Sequence, residues 1–455
     1  MNFRILLVDP ICNVHRLRPK YLTPSLGLAI IASHLLEHNY QVKIFDGTIN
    51  NSLTDFKKVL REYSPQIVAF TAYTYQIKSA ALMAKICKEV NPCSISIIGG
   101  VHATIAPAET LKEFNVFDFV VAGEGELVII PLIKKIISSE DFSRPDMERV
   151  VSCQQQEYFD LSKSLIPSWE LFDLKKYKLY NLNERDHEGV SLGLNVTTSR
   201  GCPFTCTFCN RLFGNVFRYR SVEQVVHEIR FIIEKFNIKN FSFSSDTFTF
   251  DRQYVLKLCR TLLKENLAAK ISWTCNTRVD CLDDEIIEAI KEAGCKSIAL
   301  GLESGTQELL DKMKKNIKVA NFEAVIKKLK KSGIKVMANF ILGLPYDDEK
   351  SIQTSIDTAC RLPLDSCSFS IFVPFPGSEI IKKLDQKLKF DNNWDLFSTQ
   401  APYYLYPHPQ LSRKRVLFLH KYAYFKFYFR PRYFFIFFSR VNLWSIKDYL
   451  LRSIR

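Results

Sequence analysis

No run of 18 or more apolar residues occurs in these 455 residues, so the sequence offers no obvious membrane-spanning helix. The opening MNFRILLVDP has one arginine and a very short apolar stretch, and it reads as a first strand, not as a signal peptide. Thirteen cysteines are too few and too scattered for a disulfide scaffold in a chain this long, which points to a reducing, cytoplasmic setting. With 47% apolar residues the chain can build a sizeable core, and wholesale disorder is excluded. Acidic residues are scarce only at the end. From Leu411 to Arg455 there are eleven Lys or Arg and one acid, Asp448, so ten of the fourteen net positive charges sit there. The body is mildly basic and carries no nucleic-acid footprint.

What is present alternates strand and helix twice. In the first 140 residues FRILLVD (3–9), VKIFDG (42–47), QIVAFTAYT (66–74), SISIIGG (94–100) and FDFVVAGE (117–124) read as strands with helical stretches between them. Five such strands predict a doubly wound parallel sheet with ligands beyond the strands' carboxyl ends, at TAYT, GGVHAT and GEGE. Residues 141–194 are polar and irregular and read as a linker with one docking segment near Pro167–Trp169. From 195 to 385 six further βα units predict a partial (β/α)6 barrel of the TIM type, with its site at the strands' carboxyl ends. Residues 386–455 form a basic, aromatic, helical extension.

After the first barrel strand comes TTSRGCPFTCTFCN, which sets Cys202, Cys206 and Cys209 in C-x3-C-x2-C spacing. Four-thiolate zinc sites usually pair two C-x2-C knuckles, and no second knuckle is present. Cys259, Cys275, Cys281 and Cys295 are isolated and read as small buried apolar residues. Three thiolates in one short loop suit a [4Fe–4S] cluster with one iron left open for a substrate or cofactor. Buried free thiols remain the bland alternative.

This loop, with Phe208 between its last two cysteines, resembles the radical S-adenosylmethionine (SAM) superfamily. Arg278-Val-Asp, AGC (293–295), GLESG (301–305), FILGLP (340–345) and PFPG (374–377) are similar to the branch of that superfamily with an N-terminal cobalamin-binding domain. PSLGLA (24–29), GGVHAT (99–104) and VVAGEGE (120–126) match that domain, so the resemblance runs in order over residues 1–385. It implies a Rossmann- or flavodoxin-like cobalamin domain over 1–140 and a radical SAM domain over 195–385. SAM would chelate the open iron and be cleaved to a 5′-deoxyadenosyl radical, with a flavodoxin or ferredoxin as reductant. Glu303, with Asp246 and Arg278 behind it, is the implied SAM contact. Relatives carry an acidic pair where this chain has Ser245-Asp246. Thr71, Gly99, Gly100, His102, Gly123 and Glu124 are the implied cobalamin contacts. The cobalt-ligating D-x-H-x-x-G is missing, so His102 is expected to bond loop groups near the corrin and not to bind the metal. A methyl carrier fits that arrangement.

The expected activity is methylation of an unactivated carbon in a small molecule, lipid or peptide. The alternative is a radical cyclase, oxidase or carbon-skeleton enzyme of lipid, pigment or natural-product synthesis. A non-catalytic metal- or cobalamin-binding protein is the reading from another class. No acid–base or nucleophilic catalytic residue can be named. Phe375 reads as plain core packing. The tail KYAYFKFYFRPRYFFIFFSRVNLW (421–444) reads first as a helical extension packed on the barrel and broken at Pro431. Peripheral contact with an anionic membrane comes second and nucleic acid last.

Overall fold

The branched runs Ile5–Val8, Ile67–Phe70 and Ile95–Ile98 are buried almost throughout, as strands covered on both faces require. They form the middle of the first sheet in the computed structural model, which describes residues 3–11, 22–138, 148–152, 157–177, 193–383, 393–399, 406–431 and 433. In chain order this part contains β1 (Arg4–Asp9), α1 (Leu26–Glu37), β2 (Gln41–Asp46), α2 (Leu53–Tyr63), β3 (Ile67–Thr71), α3 (Ile77–Val90), β4 (Ile95–Gly99), α4 (Gly100–Ile105), α5 (Pro107–Glu113), β5 (Phe119–Ala122), α6 (Gly125–Ser138) and β6 (Val150–Ser152). All pairs are parallel, in the order β2-β1-β3-β4-β5-β6. The order reverses between β1 and β3, and the crevice at such a reversal is where ligands bind in open α/β sheets. The sixth strand corrects the reading of 141–194 as wholly irregular. Three residues are too short to show a strand pattern, yet Val150 and Val151 complete the edge beside β5. Ser168 docks on α1, its N–H on Ala29 O at 3.1 Å and its hydroxyl 2.9 Å from that of Ser33.

The second part contains β7 (Gly193–Thr197), β8 (Ser199–Arg200), β9 (Arg218–Tyr219), α7 (Val222–Phe236), β10 (Asn240–Ser244), α8 (Arg252–Lys264), β11 (Ser272–Thr277), α9 (Asp284–Glu292), β12 (Cys295–Glu303), α10 (Gln307–Lys312), α11 (Phe322–Lys331), β13 (Lys335–Leu342), α12 (Glu349–Arg361), β14 (Ser366–Ile371) and α13 (Glu379–Lys383). Strands β7, β10, β11, β12, β13 and β14 lie side by side, all parallel, which is the open six-strand barrel expected. The helix after the cysteine loop begins in a capping box. Ser221 Oγ accepts from Gln224 N at 3.1 Å, and Gln224 Oε1 accepts from Ser221 N at 3.0 Å.

The end of the chain does two things. Residues 393–398 return to the first sheet, where Trp394 and Phe397 are buried against its core and Phe375 packs beside Phe397. Helix α14 (Arg413–Tyr428) then lies on the barrel. Val416, Leu419, Ala423 and Phe427 are buried there, and Tyr424 and Tyr428 bond the backbone of β14. The stretch after residue 433, including residues 434–444 of the aromatic tail, lies outside the described residues, as does the charged NERDHEG stretch. Among the described residues no helix is long and apolar enough to cross a membrane.

Candidate active site

Two short strands clamp the cysteine loop. Ser199 and Arg200 pair antiparallel with Tyr219 and Arg218, closing a loop over residues 201–217. Gly201 enters it with φ +85°, and a Cβ there would collide with Val216 O, so only glycine fits. Asp246 accepts the Gly201 N–H at 2.9 Å. Thr207 donates its N–H to Met313 O at 2.9 Å and accepts from Ile380 N at 2.8 Å, which ties the loop to the far side of the barrel mouth. Cys202 and Cys206 are half-buried and Cys209 is exposed as a residue. Cys202 Sγ sits 3.8 Å from Thr247 Oγ1, and Cys209 Sγ accepts from Arg211 N at 3.4 Å.

Burial pushes the Cys206 thiol above its ordinary pKa, and Lys315 and Arg278 oppose it. Burial among the loop atoms also raises that of Cys209. Among the described residues no three His, Cys, Asp or Glu side chains converge on a single ion. In a cluster each thiolate binds its own iron, so such convergence is not required. Three thiols on one loop, with a guanidinium 3.9 Å from Cys206 Sγ, fit an anionic iron–sulfur cluster better than one metal ion.

Beside the loop lies a buried pair. Glu303 ends β12 at φ +65°, a conformation rare outside glycine, and accepts from Lys315 Nζ at 2.9 Å. The β12–β13 register slips between Gly301 and Glu303. A Cβ on Gly301 would stand 2.5 Å from Glu303 Oε1. Burial works against the Lys315 charge, but Glu303 and the Cys206 thiol outweigh it and leave its pKa raised. Arg278 bonds Asp280 at 2.7 Å and Lys315 O at 2.7 Å, and its guanidinium lies 3.6 Å from the centre of the Phe204 ring. Glu303 and Arg278 thus meet at Lys315, next to Cys206, whereas Asp246 holds the loop's entrance. Burial raises the Asp246 carboxyl, while the Gly201 N–H lowers it. Lys315 is absent from the sequence reading.

The other half of the site lies at the first sheet. Thr71 and Gly99 end adjacent strands, and Gly100 follows at φ +87° with the place of its Cβ already filled by Thr71 Oγ1. His102 donates its backbone N–H to Ala72 O at 3.0 Å. Its imidazole is fully buried, and among the described residues neither ring nitrogen has a partner. The ring meets Trp394 edge-on, with centroids 4.8 Å apart. Burial pushes its pKa down to about 4, so it is neutral at pH 7. Among the described residues the expected bonds from this ring to loop groups are not made. An orphaned buried imidazole costs about 1–3 kcal/mol, a debt that a ligand's polar group would relieve. With the close-approach glycines beside it, this crevice fits cobalamin.

Gly123, at φ +93°, donates to Thr104 Oγ1 at 3.1 Å. Glu124 does not face the crevice with idle oxygens. It accepts from Arg200 at 2.8 Å, from Arg218 at 2.8 Å and from Phe159 N at 2.8 Å, and Glu126 takes a second Arg200 nitrogen at 2.6 Å. Asp9 and Asp46, paired in register at the ends of β1 and β2, were also not anticipated. Gln76 donates to Asp9 at 3.2 Å, and Tyr177 donates to Asp46.

Known proteins resemble the chain in the same two halves. The model of the radical SAM superfamily matches residues 196–359, and that of the B12 binding domain matches residues 14–131. An uncharacterized methyltransferase of Pyrococcus horikoshii is 31% identical over 420 residues, which span 90% of this chain and 88% of that protein. The anaerobic magnesium-protoporphyrin IX monomethyl ester cyclase of Rubrivivax gelatinosus is 28% identical over 382 residues, 80% of this chain and 67% of that protein. The solved radical SAM methyltransferase TsrM of Kitasatospora setae has the same fold. It superposes with a TM-score of 0.66 at 17% identity, covering 83% of this chain and 75% of that one. The chain belongs to the radical SAM enzymes that carry a cobalamin-binding domain, a family whose cofactors are a [4Fe–4S] cluster, SAM and cobalamin.

Proposed function

We propose that this enzyme is a methyltransferase that delivers a methyl group to a carbon of a small molecule, lipid or peptide, using a reductant of the flavodoxin or ferredoxin kind. One observation carries the reading: the GEGE loop of the first sheet and the cysteine loop of the barrel meet through Glu124, Arg200 and Arg218, which ties the two cofactor-binding parts together at these loops. The methyltransferase relative at 31% identity supports it.

Cys202, Cys206 and Cys209 would hold the cluster, and Thr71, Gly99, Gly100, His102 and Gly123 would line the cobalamin crevice. When bound, the cluster supplies an electron to cleave SAM, and cobalamin supplies a methyl carrier. The chain's own contribution is positioning. Lys315 and Glu303 offer an ammonium and a carboxylate to SAM's carboxylate and amino group, and Arg278 fixes the Lys315 backbone. Asp246 sets the path of the loop at Gly201. His102, neutral at pH 7, would back the cobalamin crevice without adding charge. The chain is read as working in the cytoplasm, where thiols stay reduced.

Anaerobic reconstitution with all three cofactors and a reductant tests this. S-adenosylhomocysteine formed together with 5′-deoxyadenosine supports methyl transfer. Formation of 5′-deoxyadenosine alone, with any candidate substrate consumed, favours the second reading, a radical cyclase or oxidase. The cyclase of Rubrivivax gelatinosus at 28% identity is the observation behind that alternative.

A further inference from the structure

Helix α14 has two apolar faces. One, Val416–Leu419–Ala423–Phe427, is buried on the barrel. On the opposite side Phe418, Phe425 and Phe429 form a second stripe at helical spacing, each more than half exposed, at 55%, 57% and 53%. Lys414 and Lys421 border this stripe on one flank. On the other flank Arg415 is paired with Glu349 and Lys426 with Asp357. A surface helix needs only one apolar face to fold, so the second calls for a partner.

Charge selects that partner. The last 45 residues hold eleven Lys or Arg against one acid. A second copy of this chain would bring the same positive surface against itself, and the residues after 433 are basic too. The complement must therefore be anionic as well as apolar. Phe418 stacks on Tyr422 at 6.3 Å and Phe425 on Phe429 at 4.4 Å, so one face of each ring is already covered by its neighbour. That leaves fewer free ring faces for the bases of a nucleic acid to stack on, whereas acyl chains need none.

We infer that α14 is a peripheral docking surface for an anionic lipid bilayer. Phe418, Phe425 and Phe429 enter the interface, and Lys414 and Lys421 lie against the headgroups. The helix rests on the barrel through β14 and α12, so docking would hold the barrel itself beside the membrane.

The test uses the full chain and sedimented vesicles of phosphatidylcholine with or without phosphatidylserine. Binding is expected only with phosphatidylserine. Phe418→Ser combined with Phe425→Ser should weaken it roughly tenfold or more. Lys414→Glu and Lys421→Glu should each weaken it about fivefold. All these side chains are solvent-facing, so the variants should melt like the parent, and that measurement separates lost docking from lost folding. The inference is overturned if the parent ignores phosphatidylserine, or if the phenylalanine variant binds as the parent does. It is equally overturned if the variant instead dissolves a dimer seen by analytical ultracentrifugation, or loses affinity for a single-stranded oligonucleotide while vesicle binding stays unchanged.

Discussion

Glu124, in the loop after β5, holds Arg200 and Arg218, the two arginines that bracket the cysteine loop, each at 2.8 Å. One carboxylate of the cobalamin-binding part thus fixes both ends of the loop expected to carry the cluster. All three side chains are almost excluded from solvent, so losing the carboxylate leaves two guanidiniums short of a partner. Because Arg200 keeps Glu126 and Arg218 keeps Phe159 O and Phe213 O, Glu124→Gln should cost about 1–3 kcal/mol and loosen the loop between its clamped ends. Trypsin cleavage after Arg211 is the readout, because that residue sits inside the loop. A rate equal to the parent's would mean that the loop is held by other means.

The Glu303–Lys315 pair makes a separate prediction. Lys315→Met leaves a buried carboxylate unpaired and should destabilise the chain by about 3–5 kcal/mol. Adding Glu303→Gln removes the orphan charge and should restore much of that loss, a coupling that urea denaturation of all four chains measures. SAM affinity should fall in both single variants and stay low in the double one. Recovery of affinity with stability would reduce the pair to a structural role.

The sheets are legible in the sequence because each strand carries its own pattern. A run such as Ile5–Val8, buried on both faces, needs no distant information to be recognised. The cysteine spacing is equally local. Lys315 is not legible, for a conformational reason. Lys314 and Asn316 on either side of it both have positive φ, 53° and 55°, and the turn they make swings one lysine of DKMKKN inward to Glu303. In the sequence that lysine looks like its solvated neighbours. Glu124 and Arg200 stand 76 residues apart, and only the packing of the two sheets pairs them. His102 drew attention through its glycine-rich loop, but its isolation depends on Trp394, which returns from the far end of the chain.

Crowding at Gly100 can be separated from backbone strain. Gly100 and Gly333 have similar φ, +87° and +78°, but a Cβ meets Thr71 Oγ1 at the first and open space at the second. Both alanine variants should pay about 1 kcal/mol for the left-handed conformation. Gly100→Ala should pay more and should also weaken cobalamin binding, whereas Gly333→Ala should leave it intact. Equal losses in stability would show that the Thr71 side chain moves aside freely.

Asp9 should make stability fall as pH rises. Burial, followed by the neighbouring Asp46, pushes its carboxyl from an ordinary 3.8 up to about 8, and the Gln76 hydrogen bond only partly opposes this. Between those values the folded chain keeps a proton that the unfolded chain has released. Its contribution is therefore fully present below about pH 4 and is lost as pH climbs toward the folded value, at no more than about 1.4 kcal/mol per pH unit. Asp9→Asn mimics the protonated carboxyl and escapes the loss. In urea titrations the variant should match the parent in acid and exceed it in stability at mildly alkaline pH, with the gap widening in between. A gap that does not change with pH would mean that Asp9 binds its proton equally in the folded and unfolded chains.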